Sequence, residues 1–439
     1  MSTNVTPKLR VAICGGGIGG LTLACALSRE KDVTVDVYER AANFNTEIGA
    51  GMSIRHRNMP FLSALGLAED IAAINGLPNE TTGVVFSLYK ANKAELKVIS
   101  EVRPGAGVSA FVHRAKFHNI LFRRVPQHVG MHCNKRLVSY LDSGGTDSPV
   151  RLNFADGTTA TCDVLVGADG VKSAVRAAMY ANLAGDTQDA RKAEKLREAI
   201  PPRFSGAFVW RAIIPREKLT QIPADSSVWT SGKNYTGGGK ALVTFPISQG
   251  HSLNVALQTF DYSLEDTSQP QPWVSEAQGE DLVPFLDGWA DEPRKIVAGM
   301  SGLEVKKWVL NVVRPLDDWS IGRVTLLGDA AHGMVPFQGA GAGQAIEDAT
   351  VLSALLTDRR VTCTNVQKAL RVYCDVRLPI AMDIYNASHR SGQLMGDSSM
   401  SLEEIAAEYI KVGQGAWRRG SPEDDVQQAL ELFEKALAA

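Results

Sequence analysis

A short glycine pattern near the amino terminus sets strong limits on the fold. Gly15, Gly17 and Gly20 follow an apolar, β-like run, Leu9–Cys14, and precede residues with helical spacing, Leu21–Leu27. The first glycine allows a tight turn, the second lets the backbone approach a pyrophosphate, and the third lets the helix pack on the sheet. Because a helix start presents unpaired N–H groups and a positive dipole end, this segment predicts a dinucleotide site.

A second β-branched run, Val33–Tyr38, completes a strand–helix–strand unit and ends beside Glu39 and Arg40. An acidic residue about 20 positions after the glycines can accept hydrogen bonds from an adenosine ribose, and Glu39 has this position. Arg40 joins it as a candidate cofactor contact. The segment alone fits NAD and FAD equally well.

The rest of the chain alternates between α/β and β-rich composition. Strand patterns occur within 84–102, 150–166 and 207–260, and helical patterns occur at 54–67, 114–125, 181–203 and mostly after 365. An apolar strand pattern at 324–327 and a helical pattern at 344–356 return to the α/β pattern of the first segment. The nucleotide-binding domain is therefore discontinuous in sequence, with the β-rich segment inserted in it.

These patterns predict an α/β protein with a doubly wound, Rossmann-like domain, an inserted β-rich substrate domain and a helical carboxyl terminus. The predicted boundaries are 1–78, 106–180 and 296–360 for the doubly wound domain, 79–105 and 181–295 for the inserted domain, and 361–439 for the helical region.

Composition narrows the possible functions. The 439 residues carry a formal charge of −2, which provides no basic field for nucleic acid or for an acidic membrane. The six cysteines lack the C-x-x-C spacing of a metal site or a redox dithiol, and we expect no metal. A polar amino terminus and the lack of a long apolar run favour a cytoplasmic protein. Monomer and homodimer both stay open.

The most specific pattern in the chain lies at 328–349. Gly328-Asp329 ends an apolar strand, and the sequence QGAGAGQAIEDA occupies 338–349. An aspartate at such a strand end can hold ribose or ribityl hydroxyls, while alternating glycines clear side chains from the next helix start. Backbone N–H groups can then approach a flavin edge and a pyrophosphate. The candidate cofactor contacts in this segment are Asp329, Gly339, Gly341 and Ala342.

A shorter motif contains Asp169-Gly170 and continues to Ser173 and Arg176. It resembles the Asp-Gly signature of single-component FAD-dependent aromatic hydroxylases, the group A flavoprotein monooxygenases, and 328–349 resembles their second FAD signature. The resemblance spans about residues 9–390 and favours salicylate hydroxylases of fungal type. It implies FAD as the bound cofactor, and Asp169 as a residue that serves both FAD and the pyridine nucleotide.

The resemblance implies further FAD contacts between these motifs. Arg114 opens a predicted helix and is expected to contact FAD. Residues 47–51, which end in Ala50 and Gly51, resemble the loop along which the flavin moves between inner and outer positions. Small residues suit a backbone that lies against a moving ring. Pro336 resembles the residue that packs over the flavin.

The implied reaction is hydroxylation of a small phenolic acid. NAD(P)H reduces the flavin, the reduced flavin binds O2, and a flavin hydroperoxide delivers oxygen to an electron-rich ring. The sequence has no second glycine-rich domain for NAD(P)H, which indicates a transiently bound reductant, either NADH or NADPH. The predicted substrate is a salicylate-like hydroxybenzoate, with or without decarboxylation to a catechol.

Substrate contacts are less tightly specified. Arg211 lies on a predicted strand, and its planar fork suits a carboxylate or phenolate. Phe245 and Tyr235 are the other candidate substrate contacts. In related dearomatising hydroxylases a tyrosine usually stands where Phe245 lies, and this departure argues against their chemistry. The candidate catalytic residues are Arg211, Pro336 and His332.

Two alternatives stay open. The first is a related hydroxylase acting on another ring, such as a hydroxynicotinate, urate or a polyketide phenol. The second is a flavin-fold binding protein without catalysis. Phenol-stimulated NAD(P)H oxidation would identify the substrate class. Anaerobic mixing with NADH would identify a binding module, because its flavin would stay oxidised.

Overall fold

A computed structural model describes residues 7–44, 50–77, 84–102, 108–145, 148–397, 400–417 and 420–438. The strands are β1 Leu9–Cys14, β2 Val33–Tyr38, β3 Gly51–Arg55, β4 Phe86–Lys90, β5 Lys97–Val102, β6 Val108–His113, β7 Gly130–His132, β8 Leu137–Leu141, β9 Val150–Phe154, β10 Thr159–Cys162, β11 Val164–Gly167, β12 Arg203–Pro215, β13 Gly232–Gly237, β14 Lys240–Ile247, β15 Ser252–Phe260, β16 Val274–Ala277, β17 Val305–Val312, β18 Ser320–Ile321 and β19 Val324–Leu326.

The α-helices are α1 Ile18–Leu27, α2 Met59–Ala64, α3 Ala68–Ile74, α4 Arg114–Arg124, α5 Ala174–Asp186, α6 Ala190–Glu198, α7 Asp291–Ala298, α8 Asp329–His332, α9 Gly341–Thr357, α10 Val366–Gly396, α11 Leu402–Trp417 and α12 Pro422–Ala438. In the described part of the chain, none of these helices combines the length and apolar character needed to cross a membrane.

The first layer is a six-stranded sheet in the order β18-β19-β11-β1-β2-β7. Strand β1 runs parallel to β2 and β11, with Val11 opposite both Val35 and Val164. All four residues of β11 are buried, as expected for a parallel strand covered on both faces. The predicted strand–helix–strand unit and the doubly wound fold are confirmed.

The second layer is an eight-stranded sheet in the order β16-β17-β12-β15-β14-β13-β4-β5. In β15, Leu253, Val255 and Leu257 point into one core cluster. Asn254 and Gln258 alternate with them and lie on the opposite face. The inserted β-rich domain is thereby confirmed, although β17 falls within 296–360, a segment predicted for the first layer.

Two local predictions were wrong. The helical pattern expected at 54–67 divides into β3 and α2, because Ile54 pairs with Ala110 of β6 in an antiparallel ladder. Spacing within 54–67 carries no information about that distant partner strand. The single exposed helix expected at 181–203 is two helices, and Leu196 near the end of α6 packs on the core of the first layer.

The carboxyl-terminal region is helical, as predicted. Tyr373 of α10 and Phe433 of α12 are fully buried in the same core as the six-stranded sheet. These helices therefore support the first layer.

All six cysteines are free, and Cys14 and Cys25 are buried as expected.

Candidate active site

The loop between β1 and α1 is packed tightly at two glycines and open at the third. A Cβ atom on Gly15, whose φ is +112°, would lie 2.3 Å from the Ala168 carbonyl oxygen. One on Gly20 would lie 2.0 Å from the Gly15 oxygen, whereas one on Gly17 would meet no atom within 4 Å. Open space therefore lies at the first turn of α1, where backbone N–H groups favour an anion.

The Glu39 carboxylate is fixed at the edge of this loop. Its Oε2 accepts a hydrogen bond from Gly16 N at 2.9 Å, and its Oε1 accepts one from Ala41 N at 2.8 Å. Each oxygen keeps a lone pair for a ribose hydroxyl. Arg40 is exposed next to it. Burial, and then the Arg40 charge, lowers the pKa of Lys172, so these two cations lie near each other.

The second glycine-rich helix start lies beside the first. A Cβ on Gly19 in α1 would lie 2.5 Å from Leu327 Cδ2 and 3.1 Å from Ala345 Cβ in α9, so the two helices pack closely. Gly328 has a φ of +63°, and the exposed Asp329 follows it. A Cβ on Gly341 would lie 3.7 Å from Asp329 Oδ1.

The predicted flavin loop is described only from Ala50 onward, and residues 47–49 lie outside the described ranges. Ala50 O accepts a hydrogen bond from Arg114 N at 2.8 Å. Gly51 N donates to Asn254 Oδ1 at 2.7 Å, and a Cβ on Gly51 would lie 2.3 Å from the Phe245 ring. Phe245 of the inserted sheet thus contacts the flavin loop.

Ser53 connects this loop to the second glycine segment. Its hydroxyl donates to Gly339 O at 3.2 Å, and Gly339 has a φ of +59°. Pro336 begins a short 3₁₀ turn, Pro336–Gln338, and is half-buried. Ser388 of α10 donates to Val335 O at 2.6 Å, which fixes the backbone in front of Pro336.

Positive charge concentrates where the two layers meet. Burial lowers the pKa of Arg114, and the nearby Asp329 charge opposes this shift. Burial also lowers the pKa of Arg211 to about 10, with a further lowering from the Arg114 charge. Arg211 lies 5.8 Å from the centre of the Trp308 ring, and its Nε has no hydrogen-bond partner. None of the described carboxylates pairs with it.

The side chain of Asp169 points to the start of α5 and not to the loop between β1 and α1. Its carboxylate accepts hydrogen bonds from Ala174 N at 2.7 Å and Val175 N at 3.2 Å, so it caps α5. Burial raises its pKa. A Cβ on Gly15 would lie 2.8 Å from the Asp169 Cα, so the backbone of Asp169 borders the loop between β1 and α1. A cofactor contact of Asp169 stays a prediction, and the backbone is the part placed to make it.

Two predicted site residues point away from the site. Tyr235 is fully buried, its hydroxyl donates to Glu292 Oε1 at 2.5 Å, and it packs with Leu242 in the core on the far side of the sheet from Phe245. His332 is also fully buried, with Nε2 2.6 Å from Asp348 Oδ2. The structure supports neither a substrate contact for Tyr235 nor a catalytic role for His332.

The sequence reasoning missed Asn254. This residue is 4% exposed and connects the inserted sheet to the flavin loop through Gly51 N. The alternation Leu253, Asn254, Val255 was a usable signal, because a polar residue between two core residues must face the other side of the sheet.

A family model for the FAD binding domain matches residues 8–388, which include both glycine-rich helix starts and the inserted sheet. The chain belongs to this family. An FAD-dependent monooxygenase of Strobilurus tenacellus is 34% identical over 99% of this chain and 99% of its own length. A 6-methylsalicylate 1-monooxygenase of Aspergillus terreus is 35% identical over 97% of this chain and 92% of its own.

A salicylate hydroxylase of Pseudomonas putida is 32% identical over 88% of this chain and 86% of its own. The solved structure of a salicylate hydroxylase substrate complex matches with a TM-score of 0.80 and 27% identity, covering 97% of this chain and 98% of that chain. The protein is an FAD-dependent aromatic monooxygenase of the salicylate hydroxylase type, with NAD(P)H as its transient reductant.

The residues of the monooxygenase fit FAD. The open space at Gly17 suits a pyrophosphate at a helix start, and the Glu39 oxygens suit a ribose. Asp329 and the glycine-cleared start of α9 lie next to them, where ribityl hydroxyls and the flavin ring would follow.

Replacing Tyr235 with phenylalanine tests the corrected position of this residue. We expect the KM for an aromatic acid to stay within about twofold of the native value, because the hydroxyl faces Glu292 in the far core. The free energy of unfolding is expected to fall by about 1–3 kcal/mol, since the half-buried Glu292 carboxylate loses a donor. Steady-state kinetics and urea unfolding measure both effects. A large rise in KM at unchanged stability would contradict this placement.

Proposed function

We propose that the monooxygenase hydroxylates a small phenolic acid, a salicylate-like hydroxybenzoate, and that Arg211 binds the carboxylate or phenolate. The observation that carries this proposal is the lack of an acidic partner for Arg211. Its guanidinium is desolvated, lies near the positive Arg114, and pairs with none of the described carboxylates. A desolvated charge without a counter-ion is costly, and an anionic substrate would supply that counter-ion.

The surroundings of Arg211 suit an aromatic ring. Phe245 stacks on Phe111 with ring centres 4.7 Å apart, and both belong to an apolar cluster on the site face of the sheet. Arg211 itself lies over Trp308. One polar anchor among aromatic walls is the usual composition of a small-molecule site. The names of two relatives, salicylate hydroxylase and 6-methylsalicylate 1-monooxygenase, support this substrate class.

Bound FAD supplies the transfer of reducing equivalents from NAD(P)H to O2, so that one oxygen atom reaches the ring and the other leaves as water. The residues of the chain bind, orient and shield. Arg211 orients the substrate and favours its ionised form, and an ionised phenolate ring is more electron-rich than a neutral phenol. Phe245 and Phe111 exclude water from the reacting carbon. Pro336, held through Val335 and Ser388, limits the space above the cofactor.

Hydroxylation at the carboxylate-bearing carbon would release CO2 and give a catechol, whereas hydroxylation at a ring C–H would keep the carboxylate. We propose the first outcome. A single guanidinium that holds the carboxylate also fixes the position of the ring carbon that bears this carboxylate. The relative named as a 6-methylsalicylate 1-monooxygenase supports hydroxylation at that carbon.

A matched substrate panel tests the proposal. Salicylate and its methyl ester share ring and phenol and differ in the anion that Arg211 would bind. We expect salicylate to stimulate NAD(P)H oxidation with catechol formation, and the ester to show at least about a tenfold lower kcat/KM, because a charged hydrogen bond contributes roughly 1.5–3 kcal/mol. Absorbance of NAD(P)H and chromatography of products measure the result. Equal rates for acid and ester, or stimulation only by non-acidic rings, would contradict the proposal.

A further inference from the structure

A buried ionic cluster lies directly behind the second glycine-rich helix start. Asp348 and Glu347 in α9 and Arg377 in α10 have 0%, 1% and 0% side-chain exposure. Arg377 Nε donates to Asp348 Oδ1 at 2.9 Å, and its Nη1 lies 3.3 Å from Glu347 Oε2. Burial alone would raise the pKa of Asp348, but His332 and Arg377 outweigh it and the pKa is lowered. Asp348 is therefore held as a carboxylate.

The second oxygen of Asp348 contacts both ends of the turn that carries Asp329. Asp348 Oδ2 accepts a hydrogen bond from Gly328 N at 3.0 Å and lies 2.6 Å from His332 Nε2. Gly328 directly precedes α8, and Asp329 and His332 are the first and last residues of this helix. On the other side of the turn, Arg176 Nη1 donates to Ala330 O at 2.8 Å. The turn is thus fixed from two sides.

Arg377 connects this turn to the rest of the first layer. Its Nη2 donates to Gln344 Oε1 at 2.7 Å in the first part of α9. Its Nη1 lies 3.4 Å from Asp425 of α12, so the last helix of the chain belongs to the same cluster. Buried ion pairs contribute little net stability compared with well-packed apolar residues. A gain in fold stability therefore does not account for their location next to Asp329.

We propose that Asp348 is a positioning residue for FAD, which holds the Gly328–His332 turn so that Asp329 meets the cofactor, and that Arg377 orients Asp348. The proposal rests on the FAD site of the family and is independent of the substrate proposed above. It gives His332 a defined role, as one of the two donors through which Asp348 fixes the turn. It also gives the carboxyl-terminal helices a role in cofactor binding, through Asp425 and Arg377.

Asp348→Asn tests the proposal, because an amide N–H₂ group would have to face either Arg377 Nε or His332 Nε2, both donors. Asp142→Asn is a matched control in the same domain. Asp142 accepts a hydrogen bond from Arg323 N at 2.9 Å and pairs with Arg323 Nη2 at 2.6 Å, and Arg323 is 2% exposed. The Asp142–Arg323 pair joins the hairpin of β18 and β19 to the end of β8, and it contacts neither glycine-rich segment.

We expect both variants to lose thermal stability and only Asp348→Asn to change the cofactor. Titration of the apoprotein should give about a tenfold higher Kd for FAD. Loss of the carboxylate charge should favour the anionic reduced flavin about tenfold more than the oxidised one, a rise of about 30 mV in the two-electron potential. The proposal is overturned if both variants lower the Tm and leave Kd and potential at native values.

A second pair of variants keeps the test decisive if Asp348→Asn does not fold. His332→Ala removes one donor from Asp348, and we expect about a fivefold rise in the FAD Kd. His332→Gln keeps an N–H donor and is expected to return the Kd to within about twofold of native. Equal Kd values for the alanine and glutamine variants would overturn the proposal, whatever their stability.

Discussion

Replacing Arg211 with methionine is expected to lower kcat/KM for a hydroxybenzoate by at least about 100-fold, because removing one partner of a buried, hydrogen-bonded charge pair costs about 2–5 kcal/mol. Methionine keeps the apolar length of the side chain over Trp308 and removes the fork that would bind the anion. FAD content is expected to stay at the native level. Steady-state kinetics with salicylate, together with the absorbance of the purified variant, measure both expectations.

Arg216→Met is the control for this variant. Arg216 directly follows the same strand and also packs on a tryptophan, with Cζ 4.5 Å from the Trp229 ring centre. It donates to Ala224 O at the end of the inserted sheet. We expect its kcat/KM to stay within about threefold of native. An Arg211→Met enzyme with native kcat/KM would eliminate Arg211 as the substrate anchor and leave the cofactor assignment intact.

Replacing Gly17 with valine is expected to abolish tight FAD binding without unfolding the chain. A Cβ at this position meets no atom within 4 Å, and the φ of −74° is one that valine adopts. The added side chain would fill the open space at the first turn of α1 that the pyrophosphate requires. We expect the Kd for FAD to rise at least about 100-fold, equivalent to about 2.8 kcal/mol, in a titration of the apoprotein.

Gly185→Val in α5 is the control, since a Cβ there also meets no atom within 4 Å. It is expected to keep the native FAD Kd, because it lies outside both glycine-rich segments. Circular dichroism should show folded apoprotein for both variants. If Gly17→Val bound FAD as tightly as the control, the pyrophosphate could not lie at this helix start.

The sequence predicts the first layer well because its signals are local. The run Leu9–Cys14, the glycines behind it and the run Val33–Tyr38 each specify their own structure, and β1 and β2 have these bounds. The failure at Ile54 has the opposite cause. That residue joins a strand because of Ala110, which lies far along the chain, and pairing energy of that kind leaves no periodic trace.

The candidate cofactor residues could be predicted because they lie at the ends of parallel strands. Such ends meet at one edge of the sheet, so Gly17, Glu39 and Asp329 are brought together by topology alone. Substrate residues depend on which face of a strand they occupy. Tyr235 and Phe245 are both suitable by residue type, yet they lie on opposite faces of the same sheet. Tyr235 pairs with Leu242, and Phe245 is an odd number of residues further along that strand, so its side chain faces the other side.

We propose that glycine-cleared helix starts from both ends of the chain, at Gly17 and Gly341, together form one FAD site. Titration of the apoprotein with FAD, followed by absorbance and fluorescence, tests it most directly. We expect saturation at one FAD per chain, and we expect Gly17→Val and Gly341→Val each to remove that single site. A protein that is colourless after incubation with excess FAD and removal of the unbound cofactor, or retention of full binding in either variant, would contradict this assignment.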